Sequence, residues 1–172
     1  MKKKFFILLA IISLSFQNSK AEIPHFLDFK FILNQSVAGK KAQDELKKML
    51  NDGIKKIEKK QKSVLDEEKK IVQQKKLISP EEYKKKVEEL RGKVLSLQKE
   101  RNVLLESISQ KRKKARDTLL KNLNPILEQY MKDNNIRMIV DKKSILLADE
   151  NLNLTETIVK ILNQKLKSVS LK

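Results

Sequence analysis

The 172-residue chain carries 39 lysines and arginines against 22 aspartates and glutamates, for a formal charge of +17; charged residues make up 35% and aromatics 5%, and cysteine is absent. No disulfide framework and no cysteine-ligated metal site can be built from it, and the scarcity of aromatics disfavours base-stacking surfaces. A field of this sign attracts acidic polymers, anionic lipid headgroups or acidic unfolded chains, and it weakens with salt. A coding sequence biased toward A and T would also produce the lysine excess, together with the abundant Ile, Leu and Asn.

The first stretch, "KKKFFILLAIISLSF" at residues 2–16, places three lysines before an apolar run, and "QNSKA" follows with Ser19 and Ala21 suited to a signal-peptidase site. The run falls short of the roughly 18–20 residues that span a bilayer, so it reads as a cleaved leader rather than an anchor. No cysteine follows Ala21 to accept a lipid, and the exported chain is expected to begin at Glu22. The leader holds four lysines and no acid, so its removal lowers the formal charge from +17 to +13. Behind it, "IPHFLDF" offers a short extended run in which Pro24 suits the start or edge of a strand.

A long helical stretch follows. Leu50, Ile57, Val64, Ile71 and Ile78 recur at steps of seven, while the companion positions fade from Ile54 to Gln61, Glu68 and Lys75. At "LISPEEY" the chain is told to restart a helix: Ser79 can cap, Pro80 suits the first helical position, and Glu82 can bond back. Beyond it Tyr83, Val87, Leu90, Val94, Leu97, Arg101, Leu104 and Ile108 alternate steps of four and three. Two apolar seams on either side of one capped turn make an antiparallel hairpin with its tip near 79–80. Folding back brings Ile71 near Val87 and Leu90, Val64 near Val94 and Leu97, and Ile57 near Arg101 and Leu104. An outgoing arm of about 35–40 residues would reach roughly 50–60 Å. Polar interruptions of the seam, with Gly53 and Gly92 costing about 1 kcal/mol each relative to alanine, predict compliant arms.

The return arm continues through the basic cluster "KRKKAR" and through Leu119, Leu120, Leu123, Ile126, Leu127, Tyr130 and Met131, with a kink predicted at Asn124–Pro125 and an end in "KDNN". "IRMIV" and "SILLA", separated by "DKK", read as a β-hairpin. Asn153 and Glu156 form a capping pair for a last helix that carries Ile158, Ile161, Leu162 and Leu166. The expected fold is α+β and mostly α, a long helical hairpin on a small β-rich body. Residues 40–116 form the hairpin, residues 22–39 and 117–172 form the discontinuous body, and residues 1–21 are the leader.

Here the sequence reaches a family. "IPHFLDFKFILNQSVAGKKAQDELKK", a charged helical hairpin, and "NIRMIVDKKSILLADENLNLTETIVKILNQKL" together resemble the Skp, or OmpH-like, family of periplasmic chaperones over essentially the whole exported chain. The resemblance rests on the strand ending at Asp28, "GKKAQ" at Gly39–Gln43, "VD" at Val140–Asp141 and the closing "LNLTETIVKILN". Pro24 is a departure that shortens the first strand. The resemblance implies a homotrimer whose β-rich bodies join and whose hairpins hang as tentacles around a cavity. It also implies an ATP-independent, cofactor-free holdase that keeps unfolded outer-membrane β-barrel proteins from aggregating in the periplasm.

Phe26, Leu27, Ile139, Val140, Leu146 and Leu147 are expected in the body and its subunit contacts, or simply in one chain's core. Lys84, Lys85, Lys86, Lys111, Arg112, Lys113 and Lys114 are candidates for client attraction, with an ordinary solvated face as the alternative. The same lysines could meet anionic lipopolysaccharide or a membrane surface. A nucleic-acid partner is not expected, because the chain has an export signal and few stacking residues. His25 is the single histidine and no base, nucleophile or phosphate loop accompanies it, so no catalytic or metal site is expected. An exported coiled-coil adaptor of the cell envelope is the competing reading.

Overall fold

The computed structural model describes residues 23–171; the expected leader lies outside them. Strand β1 (His25–Leu27) starts directly after Pro24 and runs into α1 (Phe29–Gln35). Asp28 caps α1, its carboxylate accepting from the Phe31 N–H at 2.7 Å. Ser36 ends α1 and caps the next helix, accepting from the Gly39 N–H at 3.2 Å. Gly39 is required at this junction, since a Cβ there would lie 1.8 Å from the Leu33 carbonyl oxygen.

Two long helices dominate. Helix α2 (Val37–Gln74) has 38 residues and α3 (Pro80–Asp133) has 54, so the outgoing arm is about 57 Å long and the return helix about 81 Å. Between them the chain turns once. Pro80 opens α3, and the Ser79 hydroxyl accepts from the Glu82 N–H at 3.1 Å. The Glu82 carboxylate faces Lys86 one turn on, at 3.6 Å, instead of reaching back to complete a capping box. Helix α3 runs on through Pro125 and stops where Asn135 adopts a positive φ of 55°. That left-handed residue lets the Ile136 N–H reach the Met131 carbonyl at 2.9 Å, closing the helix end.

Strand β2 (Ile139–Asp141) pairs with β1, not with the segment after it. The two strands are parallel, in the register His25 with Ile139, Phe26 with Val140 and Leu27 with Asp141. The helical hairpin is thus the crossover that joins parallel neighbours. The expected β-hairpin over 136–148 does not form. Asp141 caps a single 3-10 turn at Lys142–Ser144, accepting from the Lys143 N–H at 3.1 Å, and 144–148 makes no strand. "DKK" offers neither the glycine nor the asparagine that a tight hairpin turn needs for positive φ, so the aspartate's capping geometry prevails.

A second 3-10 turn (Glu150–Leu152) leads to α4 (Thr155–Lys165). The expected pairing of Asn153 with Glu156 is replaced by a tighter arrangement. Asn153 Oδ1 accepts from both the Thr155 N–H and its hydroxyl, while Thr155 Oγ1 accepts from the Asp28 N–H at 2.9 Å. The start of α4 is therefore bonded directly to the start of α1. Beneath these elements Leu27, Ile32, Leu123, Ile126, Leu154, Ile158 and Leu162 form one apolar cluster. A second cluster sits at the root of the long hairpin: Ala38, Ala42, Leu46, Ile108, Ala115 and Leu119, joined by Val169 and Leu171.

Candidate functional site

Beyond these clusters the hairpin projects on a thin seam. Ile71 and Ile108 are buried, while Leu50, Ile57, Val64, Leu90, Leu97 and Leu104 are half-buried. Gly53 lets the arms approach: a Cβ there would stand 2.6 Å from both Leu104 methyl carbons. Val94 lies beside the seam rather than in it and is 51% exposed.

The two flanks of the hairpin differ in chemistry. One is laced by polar bridges: Gln74 to Lys86 at 3.0 Å, Glu67 to Lys93 at 2.6 Å and Lys60 to Glu100 at 2.7 Å. These step by seven residues along each arm and hold one register. The ion pairs are exposed, so each contributes at most about 1 kcal/mol, and their weight is in alignment. The other flank is apolar. Ile71, Tyr83, Val87 and Leu90 floor a depression of about 540 Å³ rimmed by Val72, Val94, Leu95, Glu68 and Arg91. Val72 and Leu95 are 59% and 70% exposed there, and Leu65 and Leu105 are also open along the arms. The heptad reading missed this flank. Its sequence signal is the doubled apolar position, Val64–Leu65, Ile71–Val72 and Leu104–Leu105. In each, one residue enters the seam and its neighbour points about 100° round the helix.

The basic candidates divide by environment. Lys84 and Lys85 are exposed in the second turn of α3, next to Tyr83. Lys75, from the other arm, stands 5.7 Å above the same tyrosine ring. Lys86 is half-buried between Gln74 and Glu82. Arg112, Lys113 and Lys114 are exposed near the root, where Lys113 and Lys114 border a shallow surface depression with Asp117 and Lys121. Lys111 is engaged within the chain, its Nζ donating to the Leu171 carbonyl. The structure therefore places exposed basic side chains at both ends of the arms, and binds Lys86 to Gln74 and Lys111 to the Leu171 carbonyl.

Among the body candidates Phe26 and Leu27 are buried and Ile139 and Val140 half-buried. Leu146 and Leu147 project into solvent at 107% and 93% exposure. Their reading as part of one chain's core is corrected, because the strand that would have turned them inward does not form. The His25 N–H donates to the Met138 carbonyl at 3.1 Å, and its ring Nδ1 is closed off without a partner among the described residues. No group of three or more metal-ligating side chains occurs among the described residues, and no described helix is long and apolar enough to cross a membrane.

Comparison with the curated proteins finds no match. Among solved structures, a proposed outer membrane chaperone (OmpH-like) from Caulobacter crescentus CB15 aligns with a TM-score of 0.81 at 17% identity, covering 91% of this chain and 94% of that one. At that identity the likeness concerns the fold. The family model described as outer membrane protein (OmpH-like) matches residues 25–162. With most of its length matched by that model, the chain belongs to the OmpH-like family.

Proposed function

We propose that the protein is a periplasmic chaperone, an ATP-independent holdase for unfolded outer-membrane β-barrel proteins. The observation that carries this reading is the two-faced hairpin. An arm of about 57 Å extends beyond a small body, one flank held in register by polar bridges and the other left apolar and open. A broad apolar flank edged by cations suits an extended acidic client through many weak contacts, where a single pocket would not. Membership of the OmpH-like family supports the chaperone role.

In this reading three chains join through their bodies, and the arms enclose the client. Leu146 and Leu147, adjacent and fully exposed on a loop beside β2, are the apolar residues that would bury on assembly. Sequestration keeps the client's apolar surfaces and strand edges from other clients, and release needs no fuel when a better acceptor competes. The deciding experiment dilutes a urea-unfolded outer-membrane β-barrel protein with and without the exported chain, follows light scattering, and weighs the complex. Suppression without nucleotide by a species of three copies per client is expected. A monomer or dimer that leaves scattering unchanged would overturn the reading in favour of an envelope adaptor.

A further inference from the structure

The segment after α4 packs back onto the hairpin. Residues 168–171 alternate: Ser168 and Ser170 are exposed, as is Lys167 before them, while Val169 and Leu171 are buried to 7% and 3%. The two apolar side chains sit in a groove floored by Ala38, Ala42 and Leu46 of α2 and by Ile108, Ala115 and Leu119 of α3. The three alanines give the groove its depth, since larger side chains would fill the space that Val169 and Leu171 take. Lys111 adds a contact to the backbone, not to a side chain, through the Leu171 carbonyl.

Each of these contacts reads pattern rather than identity. The groove accepts apolar side chains two residues apart and one carbonyl beside a cation. The alternation of lipid-facing apolar and lumen-facing polar residues in a barrel strand has the same period. The family match ends at residue 162, so the groove is built wholly from residues inside the shared region, while its occupant lies outside it.

We infer that this groove at the hairpin root binds an extended segment of alternating apolar and polar residues, as in an unfolded barrel strand, and that residues 167–171 occupy it as a competitor in cis. The client half of this inference rests on the chaperone reading. The tethered tail has the advantage of effective concentration, so a client segment displaces it only when other parts of the client are already held along the arms. The tail thereby raises the threshold for capture of short or incidental peptides.

The test uses the full chain and its Val169→Ser/Leu171→Ser variant, with fluorescein-labelled peptides LKSVSLK, copied from the tail, and LKSSVLK, of the same composition with the apolar residues adjacent. Fluorescence anisotropy is expected to show the variant binding LKSVSLK at least about tenfold more tightly than the unsubstituted chain, with LKSSVLK bound by neither. A urea-unfolded barrel protein is expected to displace the bound peptide. Equal binding by the two proteins, or equal binding of the two peptides, overturns the inference. Helicity at 222 nm reports whether the variant is folded. If it is not, Leu171→Ser alone, a milder change confined to the competing segment, should raise LKSVSLK affinity about threefold, and unchanged affinity refutes the site. A barrel protein that is kept soluble by the unsubstituted chain yet fails to displace the peptide overturns the groove's client role and leaves the chaperone reading intact. One that is neither kept soluble nor able to displace the peptide overturns both.

Discussion

The three glycines offer one substitution in three surroundings, and the structure orders the outcomes. At Gly92 nothing lies within 4 Å of a new Cβ, so Gly92→Ala should gain the helix propensity difference of about 1 kcal/mol. At Gly53 the same Cβ meets both Leu104 methyl carbons at 2.6 Å, the end of a side chain that can turn away. Overpacking of roughly 2 kcal/mol less the propensity gain leaves a net loss of about 1 kcal/mol. At Gly39 the obstacle is the Leu33 carbonyl at 1.8 Å, with Ser36 Oγ at 2.9 Å, and backbone cannot rotate aside. Relief means moving α1, which carries the fully buried Ile32, and breaking the Ser36 cap, for a net loss of about 3 kcal/mol. The span from Gly39→Ala to Gly92→Ala is then about 4 kcal/mol, or about 2 M in urea midpoint for a slope near 2 kcal/mol/M. Urea titrations followed at 222 nm, all at one protomer concentration because assembly would shift the midpoints, measure it. Gly39→Ala and Gly92→Ala midpoints that coincide would refute the close approach of α1 and α2 on which the argument stands.

Leu146→Asp/Leu147→Asp should leave helicity and the monomer's stability within about 0.5 kcal/mol, since both side chains are fully exposed, while light scattering shows the assembly falling apart; an unchanged mass would count against a subunit contact there. Replacing Lys84, Lys85, Arg112 and Lys113 together by glutamine should weaken capture of an unfolded barrel protein mainly at low salt, and an equal loss at high salt would mean that electrostatics is the wrong explanation. In a double-mutant cycle Lys60→Gln and Glu100→Gln should couple by about 0.5 kcal/mol at low ionic strength and by almost nothing in 1 M salt. Salt-independent coupling would point to packing rather than charge.

The hairpin was legible because its signals are local. Ser79 and Pro80 announce the start of α3 within two residues, and heptads announce the seam over four repeats. The β-body was not legible in the same way. Partners His25 and Ile139 stand more than a hundred residues apart, and nothing in "IRMIV" tells a local reading whether its partner is the next run or the first. The neighbour in sequence was the natural expectation, and the capping preference of Asp141 decided against it. The tail escaped notice for another reason. Residues 167–171 form no helix or strand, and their burial depends on alanines at 38, 42 and 115, which look from sequence like good helix formers and nothing more. The apolar flank was half-visible, since its doublets were counted only for the member that enters the seam. Val94 shows the cost of that economy: assigned to the seam, it stands mostly in solvent.

The placement of the two apolar clusters explains how such a molecule can yield without unfolding. Both lie at one end: the first joins β1, α1, α4 and the last turns of α3, and the second clasps the hairpin root between Ala38 and Leu119. From Gly53 and Leu104 outward to Ser79, only Ile71 is buried, and the remaining contacts are half-exposed apolar pairs and solvent-facing ion pairs. Opening free energy therefore accumulates from tip to root, since opening a turn nearer the root also opens every turn beyond it, and the exposed ion pairs along the way contribute little. Amide hydrogen exchange should be slowest at Leu119–Ile126 and progressively faster toward the tip, with the gradient in the same direction on both helices. Uniform protection along the arms would mean that the seam is a rigid rod and would remove the physical basis for adjustable arms. A graded hairpin can splay at a small cost per turn, as the proposed chaperone role would require, while the body, whose burial is concentrated in Leu27, Ile32, Leu123, Ile158 and Leu162, keeps its fold.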